Sequence, residues 1–152
     1  MRRELPGGFE LDDDPRRVDL EAVCDFLSEE AYWAKGRDRE LIRQTFREAS
    51  RVIGAYAPGG AMAGYCRVVT DKAVFAYLAD VFVLEEFRGR GLGVEIIREA
   101  VENGPQCDLR WLLGTADARG LYERFGFGEP SHLLMERPSS NPEPWKEGPG
   151  PA

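Results

Sequence analysis

The sequence predicts one α/β domain of the α+β kind, with a central mixed sheet flanked by helices. Two segments carry this prediction. An apolar run ends near Leu84, a glycine-rich loop follows it, and an amphipathic helix then begins. Residues 109–127 predict a buried strand followed by a short helix. The length of 152 residues suits one domain with a sizeable core.

The first half of the chain alternates strands and helices. A short strand is predicted near residues 9–11. Asp19 is placed to cap a first helix, whose apolar face is Val23, Phe26 and Leu27. Gly36 ends an aromatic linker, and a second helix follows. The apolar face of that helix consists of Leu41, Ile42, Thr45, Phe46 and Ala49.

The remaining strands and helices complete the core. The predicted strands are residues 52–57, residues 61–69, a long strand ending near Leu84, residues 109–113 and residues 133–136. The helix after the glycine loop ends at Gly104, and a short helix surrounds Tyr122. Residues 1–137 are thus predicted to form one domain. Residues 138–152 are rich in Pro, Gly and Ser and predict a disordered tail.

Composition narrows the function classes. With 20 basic and 27 acidic residues, the net charge of −7 argues against nucleic acid and favours a cationic ligand. The three cysteines share no short spacing, so neither a disulfide framework nor a metal site is indicated. No apolar leader and no run long enough to span a membrane appear, which predicts a cytoplasmic protein.

The glycine-rich loop has the composition of a phosphate-binding site. It consists of Arg88, Gly89, Arg90, Gly91, Leu92 and Gly93. Its glycines allow tight turns and leave backbone N–H groups bare, and the helix N-terminus adds a positive dipole end. A dinucleotide fingerprint would place a third glycine at Val94, and no Walker sequence follows. An ordinary strand-to-helix turn is the alternative.

Two motifs link this loop to a known family. Arg88-x-x-Gly91-x-Gly93 resembles the Arg/Gln-x-x-Gly-x-Gly/Ala signature of the GNAT acetyltransferases, and residues 121–127 are similar to their closing Leu-Tyr-x-x-x-Gly-Phe motif. Residues 31–37 and 67–71 resemble segments of small single-domain GNAT proteins. The resemblance extends from about Phe9 to Arg137. It implies a mostly antiparallel sheet, splayed at the cofactor strand and flanked by about four helices.

The resemblance implies acetyl-CoA as co-substrate. The loop would hold the pyrophosphate, and the backbone of Val83 and Leu84 would pair with the pantetheine arm. Thr115 stands where many GNAT enzymes have an asparagine that bonds this arm. The acetyl group would pass directly to a primary amine of a small molecule or a protein. Homodimerisation is left open, and a non-catalytic GNAT fold that binds coenzyme A or acyl-CoA is the alternative.

Tyr122 and Asp80 are the candidate catalytic residues. By family match, Tyr122 is the acid that protonates the leaving thiolate, because a phenol with a pKa near 10 is protonated at neutral pH. The alternative is a tyrosine that only packs. Asp80 interrupts an apolar strand, so it either serves the acceptor amine or is structural. Strand alternation puts Tyr77 on the face of Val83 and Asp80 opposite, unless a bulge intervenes.

The acceptor side has four further candidates: Tyr32, Trp33, Arg37 and Tyr77. An aromatic pair beside a basic residue can form a pocket for an amine or for a ligand with a carboxylate. A packing role for Trp33 is the alternative.

Overall fold

A computed structural model describes residues 1–140, so residues 141–152 of the predicted tail lie outside the described residues. The strands are β1 (Arg2–Glu4), β2 (Glu10–Asp12), β3 (Arg51–Tyr56), β4 (Met62–Thr70), β5 (Phe75–Val83) and β6 (Arg110–Leu112). The helices are α1 (Leu20–Asp25), α2 (Arg39–Glu48), α3 (Leu92–Val101) and α4 (Arg119–Glu123). A wider helical turn at Phe26–Glu30 extends α1.

The strands form one six-stranded sheet in the order β1-β2-β3-β4-β5-β6. Neighbours are antiparallel except β5 and β6, which are parallel. The predicted mixed, mostly antiparallel sheet flanked by helices is therefore confirmed. Strand β1 was not predicted, because its three residues are all charged. It pairs with β2, and Arg2 forms an ion pair with Glu10 across the two strands.

The sheet separates two hydrophobic cores. Helix α3 packs on one face through Leu92, Ile96 and Ile97, and we call this the α3 core. Helices α1 and α2 cover the other face, and we call this the α1/α2 core. The predicted helix cap is confirmed, because the Asp19 carboxylate accepts the N–H of Ala22 at 3.1 Å. Among residues 1–140 no helix has the length and apolar character to cross a membrane.

The prediction of a last strand at residues 133–136 is wrong. Ser131 turns the backbone there, because its hydroxyl accepts the N–H of Leu133 and its carbonyl accepts the N–H of Leu134. The extended geometry that a strand needs is therefore interrupted. Strand β6 consequently has an unpaired edge within residues 1–140. A cavity of about 670 Å³ lies along it, between β6, α4 and residues 126–134.

Candidate active site

The glycine loop connects the end of β5 to α3. A short 3-10 turn at Glu85–Phe87 follows the strand, and Gly91 is the N-cap of α3. Gly89 and Gly91 have φ angles of 79° and 77°, in the left-handed region that favours glycine. A side chain at either position would meet no atom of the protein within 4 Å. The loop thus leaves open space beside the first N–H groups of α3, which have no partner within the helix.

The two loop arginines have different positions. The Nε of Arg88 donates to the carbonyl oxygen of Val83 at 3.0 Å, so this side chain ties the loop to the end of β5. The guanidinium of Arg90 lies 5.6 Å from the ring centre of Phe9. No ion pair of either arginine is recorded within residues 1–140. Their positive charges therefore lie near the N-terminus of α3, where the positive end of the helix dipole also lies.

The pairing of β5 with β6 ends well before this loop. Their parallel pairing covers only three residue pairs and ends at Tyr77 and Leu112. Beyond that point β5 continues to Val83, paired with β4 alone. The N–H of Leu84 donates to the carbonyl of Ala63 at 2.8 Å, so that group is already engaged with the sheet. Past Tyr77, β5 therefore has no strand partner on its β6 side within residues 1–140, and this opening leads along β5 to the glycine loop.

Tyr122 lies on α4 and lines the cavity along β6, together with Thr115. Its ring packs edge-on against Phe127, with 6.0 Å between the ring centres. Its hydroxyl makes no hydrogen bond to any of residues 1–140. Burial raises the pKa of Tyr122 to about 12, with smaller contributions from Cys66, Tyr32 and Asp117. The phenol is therefore protonated throughout the physiological pH range and is a donor with no partner in the described structure.

Thr115 lies in the loop that leads from β6 to α4. Its hydroxyl oxygen accepts the N–H of Ala118 at 3.1 Å and so stabilises the turn before α4. The neighbouring N–H, of Ala116, donates to the hydroxyl of Tyr32 at 2.9 Å. That hydroxyl in turn donates to Asp117 at 3.3 Å. Tyr32 therefore holds the linker after α1 against the loop that precedes Tyr122.

Asp80 lies at a β-bulge. Arg67 pairs with Ala79 and Tyr65 with Phe82, so Asp80 and Val81 together stand opposite one residue of β4. The φ angle of Asp80 is 54°, which is uncommon for a residue with a side chain. Strain of this kind persists only where surrounding contacts fix it. Here those contacts are made by the Asp80 carboxylate.

Three side chains surround that carboxylate, which is almost completely buried. The Nε1 of Trp33 donates to one oxygen at 3.0 Å, and the Nε of Arg67 donates to the other at 2.6 Å. A guanidinium nitrogen of Arg37 lies 3.5 Å from the second oxygen. Burial alone would raise the pKa of Asp80. The charges of Arg67 and Arg37 and the hydrogen bonds from Arg67 and Trp33 outweigh burial and lower this pKa below its ordinary value.

The bulge corrects the prediction for Tyr77. Ala76 and Leu78 point into the α3 core, so Tyr77 points to the opposite face. Val83, beyond the bulge, packs on the α3 core. Tyr77 and Val83 therefore lie on different faces, because the extra residue shifts the alternation by one. Tyr77 shares the face of Asp80, and its hydroxyl lies close to Gly114.

The structure thus groups the predicted residues in two places. Tyr32, Trp33, Arg37, Tyr77 and Asp80 lie on the α1/α2 side of the sheet. The glycine loop and Val83 lie at the end of β5, and Tyr122 packs on the α3 core and lines the cavity along β6. Sequence reasoning missed Arg67, although an arginine in an otherwise apolar strand, with a buried aspartate in the next, is a signal for such a pair. Within residues 1–140 no cluster of His, Cys, Asp or Glu could hold a metal ion.

A mostly antiparallel sheet that opens at one parallel strand pair, with a glycine loop at the opening, defines the GNAT fold. A profile of the acetyltransferase (GNAT) family matches residues 20–127. The chain therefore belongs to this family, and the fold predicted from the two motifs is confirmed.

Solved structures and a curated relative also show similarity to this chain. A candidate GNAT acetyltransferase from Xanthomonas campestris pv. campestris is 34% identical with a TM-score of 0.79, covering 85% of this chain and 92% of that one. A candidate acetyltransferase from Deinococcus radiodurans shares the fold at 22% identity and a TM-score of 0.65, covering 89% and 92% of the two chains. An uncharacterized N-acetyltransferase, ycf52, from Pyropia yezoensis is 25% identical over 114 residues, which span 72% of this chain and 63% of that relative.

Proposed function

We propose that the protein is an acetyl-CoA-dependent N-acetyltransferase in which a primary amine attacks the thioester directly. The observation that carries this proposal is the Tyr122 hydroxyl, a protonated donor without a partner in the described structure, on the helix that follows β6. The glycine loop lies at the end of β5 and the Asp80 cluster lies on the α1/α2 face. One groove could therefore receive a phosphorylated thioester and an amine together.

The residues of the loop suit the pyrophosphate of coenzyme A. Open space lies beside Gly89 and Gly91 at the start of α3, and Arg88 and Arg90 supply two positive charges. Val83 and Leu84 lie at the end of β5, beyond its last pair with β6 at Tyr77. The Val83 carbonyl accepts Arg88 and the Leu84 N–H is bonded to Ala63, so an extended arm would pair with the backbone groups that these bonds leave free. The cavity along the free edge of β6 is lined by Thr115 and Tyr122 but by no residue of β5 or of the glycine loop, so it supplies no site for the pyrophosphate at that loop.

Acetyl transfer forms one C–N bond and breaks one C–S bond. The amine loses a proton and the thiolate gains one. The Tyr122 hydroxyl is suited to supply the thiolate proton, because its raised pKa keeps it protonated until a strong base develops beside it.

Asp80 is poorly suited to take the amine proton. Its lowered pKa makes it a weak base, and both oxygens already accept hydrogen bonds. The geometry therefore favours Asp80 as a positioning residue that holds Arg67, Arg37 and Trp33 in place.

A thiol-release assay tests the proposed function. Free thiol should appear from acetyl-CoA only when an accepted amine is present, in equal amount to the acetylated amine. The alternative, a binding module, predicts that calorimetry detects coenzyme A while no amine in a broad panel releases thiol.

A further inference from the structure

Two guanidinium groups, of Arg37 and Arg67, share the Asp80 carboxylate. Trp33 contributes a neutral donor. Because Arg67 bonds this shared carboxylate through one nitrogen, an arriving anion would find further donors on the same guanidinium.

Arg67 is oriented to bind that anion. It contacts Asp80 through Nε, at 2.6 Å, and not through its terminal nitrogens. No hydrogen bond within residues 1–140 uses either terminal nitrogen. The side chain is 17% exposed, so a ligand can reach it. A guanidinium fixed at Nε presents its two terminal nitrogens as a planar fork, which matches the two oxygens of a carboxylate.

The surroundings of Arg67 are apolar and partly open. On β5 it faces Ala79, whose small side chain leaves space above the sheet. The next pair on the same face is Val69 and Tyr77, each 38% exposed. An exposed apolar pair beside a half-buried arginine forms a surface with one basic end.

We propose that the acceptor is a primary amine that carries a carboxylate, which the terminal nitrogens of Arg67 bind while an apolar or aromatic group covers Val69 and Tyr77. This inference rests on the proposed N-acetyltransferase function and specifies its substrate class. The overall charge of −7 does not oppose it, because distant surface charges are screened while Arg67 acts at contact distance. The positive charge of Arg67 disfavours the protonated form of a nearby amine, and the neutral form is the nucleophile.

The first experiment compares acceptors that differ only in the anion. L-Phenylalanine, L-phenylalaninamide and 2-phenylethylamine share one aromatic amine skeleton, and O-phosphoethanolamine with ethanolamine tests phosphate. We expect kcat/KM for phenylalanine to exceed that of the amide by about 10- to 100-fold, the range of charge-assisted hydrogen bonds. Equal values, or a preference for the phosphate compound, would overturn the inference.

Variants assign the preference to Arg67. Arg67→Gln should abolish the difference between acid and amide, and Arg67→Lys, which keeps the charge, should retain part of it. Arg47→Gln, on the exposed face of α2, is the control and should leave the preference unchanged. Persistence of the full preference in Arg67→Gln would show that another group binds the carboxylate.

A binding measurement on the unaltered protein is independent of both turnover and variant folding. Calorimetry would compare 3-phenylpropionate with 3-phenylpropionamide on the protein saturated with coenzyme A, and the carboxylate should bind at least about 10-fold more tightly. Equal affinity contradicts the carboxylate site. Preferential carboxylate binding without thiol release from any amine would instead refute the acetyltransferase function and retain the anion site.

Discussion

Replacing Asp80 by asparagine tests whether the buried carboxylate holds the acceptor side together. The change keeps the size of the side chain and tolerates the φ angle of 54°, because asparagine enters the left-handed region readily. It removes the negative charge between Arg67 and Arg37. It also leaves one donor without an acceptor, since Trp33 and Arg67 donate to different oxygens and the asparagine amide has only one oxygen.

The expected loss of stability is large. Removing one partner of a buried ion pair costs about 3–5 kcal/mol, because the remaining charges are left without compensation. For a protein of this size about 1 kcal/mol lowers Tm by about 2–4 °C, so the fall should be about 6–20 °C. Denaturant unfolding followed by circular dichroism gives the free energy, and differential scanning calorimetry gives Tm.

Asp25→Asn is the matched control. Asp25 also pairs with an arginine, Arg39, but on the surface, so its loss should change stability by no more than about 0.5 kcal/mol. An Asp80→Asn variant as stable as the parent would refute the reasoning. Turnover should fall with Asp80→Asn and should not recover at high pH, whereas recovery would indicate a base.

The lowered pKa of Asp80 predicts that the stability contributed by this residue depends on pH. The folded protein holds the pKa of Asp80 below its unfolded value of about 3.9. The contribution of Asp80 is therefore complete above that pH and is lost as pH falls through the folded-state pKa. The difference in unfolding free energy between parent and Asp80→Asn should accordingly be constant near neutral pH and shrink in acid. A difference that grows in acid would show the opposite sign of the shift.

Two further variants test the cofactor side. Tyr122→Phe removes one hydroxyl and keeps the ring contact with Phe127. We expect kcat to fall by about 10²-fold or more, while calorimetry shows unchanged affinity for coenzyme A. Unaltered turnover would show that Tyr122 only packs. Gly91→Asp places bulk and negative charge in the loop and should abolish coenzyme A binding, whereas Gly60→Asp, which has a similar φ and equally open space in a distant turn, should not. If both glycine variants bound coenzyme A as tightly as the parent, the phosphate site would not lie at this loop.

Features set by neighbouring residues could be predicted from the sequence. The Asp19 cap, the left-handed glycines of the loop and the start of α3 each depend on a few consecutive residues. Long-range pairing could not be read in this way. The bulge at Asp80 depends on how β4 and β5 align, and this alignment moved Tyr77 to the face opposite Val83.

At residues 133–136 a hydrogen-bonded turn prevents the strand that the sequence pattern predicts. Leu133 and Leu134 suit a strand by propensity, but the turn formed by Ser131 takes up their N–H groups. The Asp80 carboxylate could be identified as unusual, while its partners could not. Arg67 is 13 residues away in sequence and Trp33 is 47 residues away, and only the folded sheet and linker bring them together.

A crystal structure with coenzyme A bound tests the central claim most directly, since it locates the cofactor and the sulfur together. We expect the pyrophosphate to accept N–H groups at the start of α3 beside Gly91, and the sulfur to lie within hydrogen-bond distance of the Tyr122 hydroxyl. Coenzyme A bound in the cavity along the free edge of β6, with its pyrophosphate remote from Gly91, would contradict the proposed site.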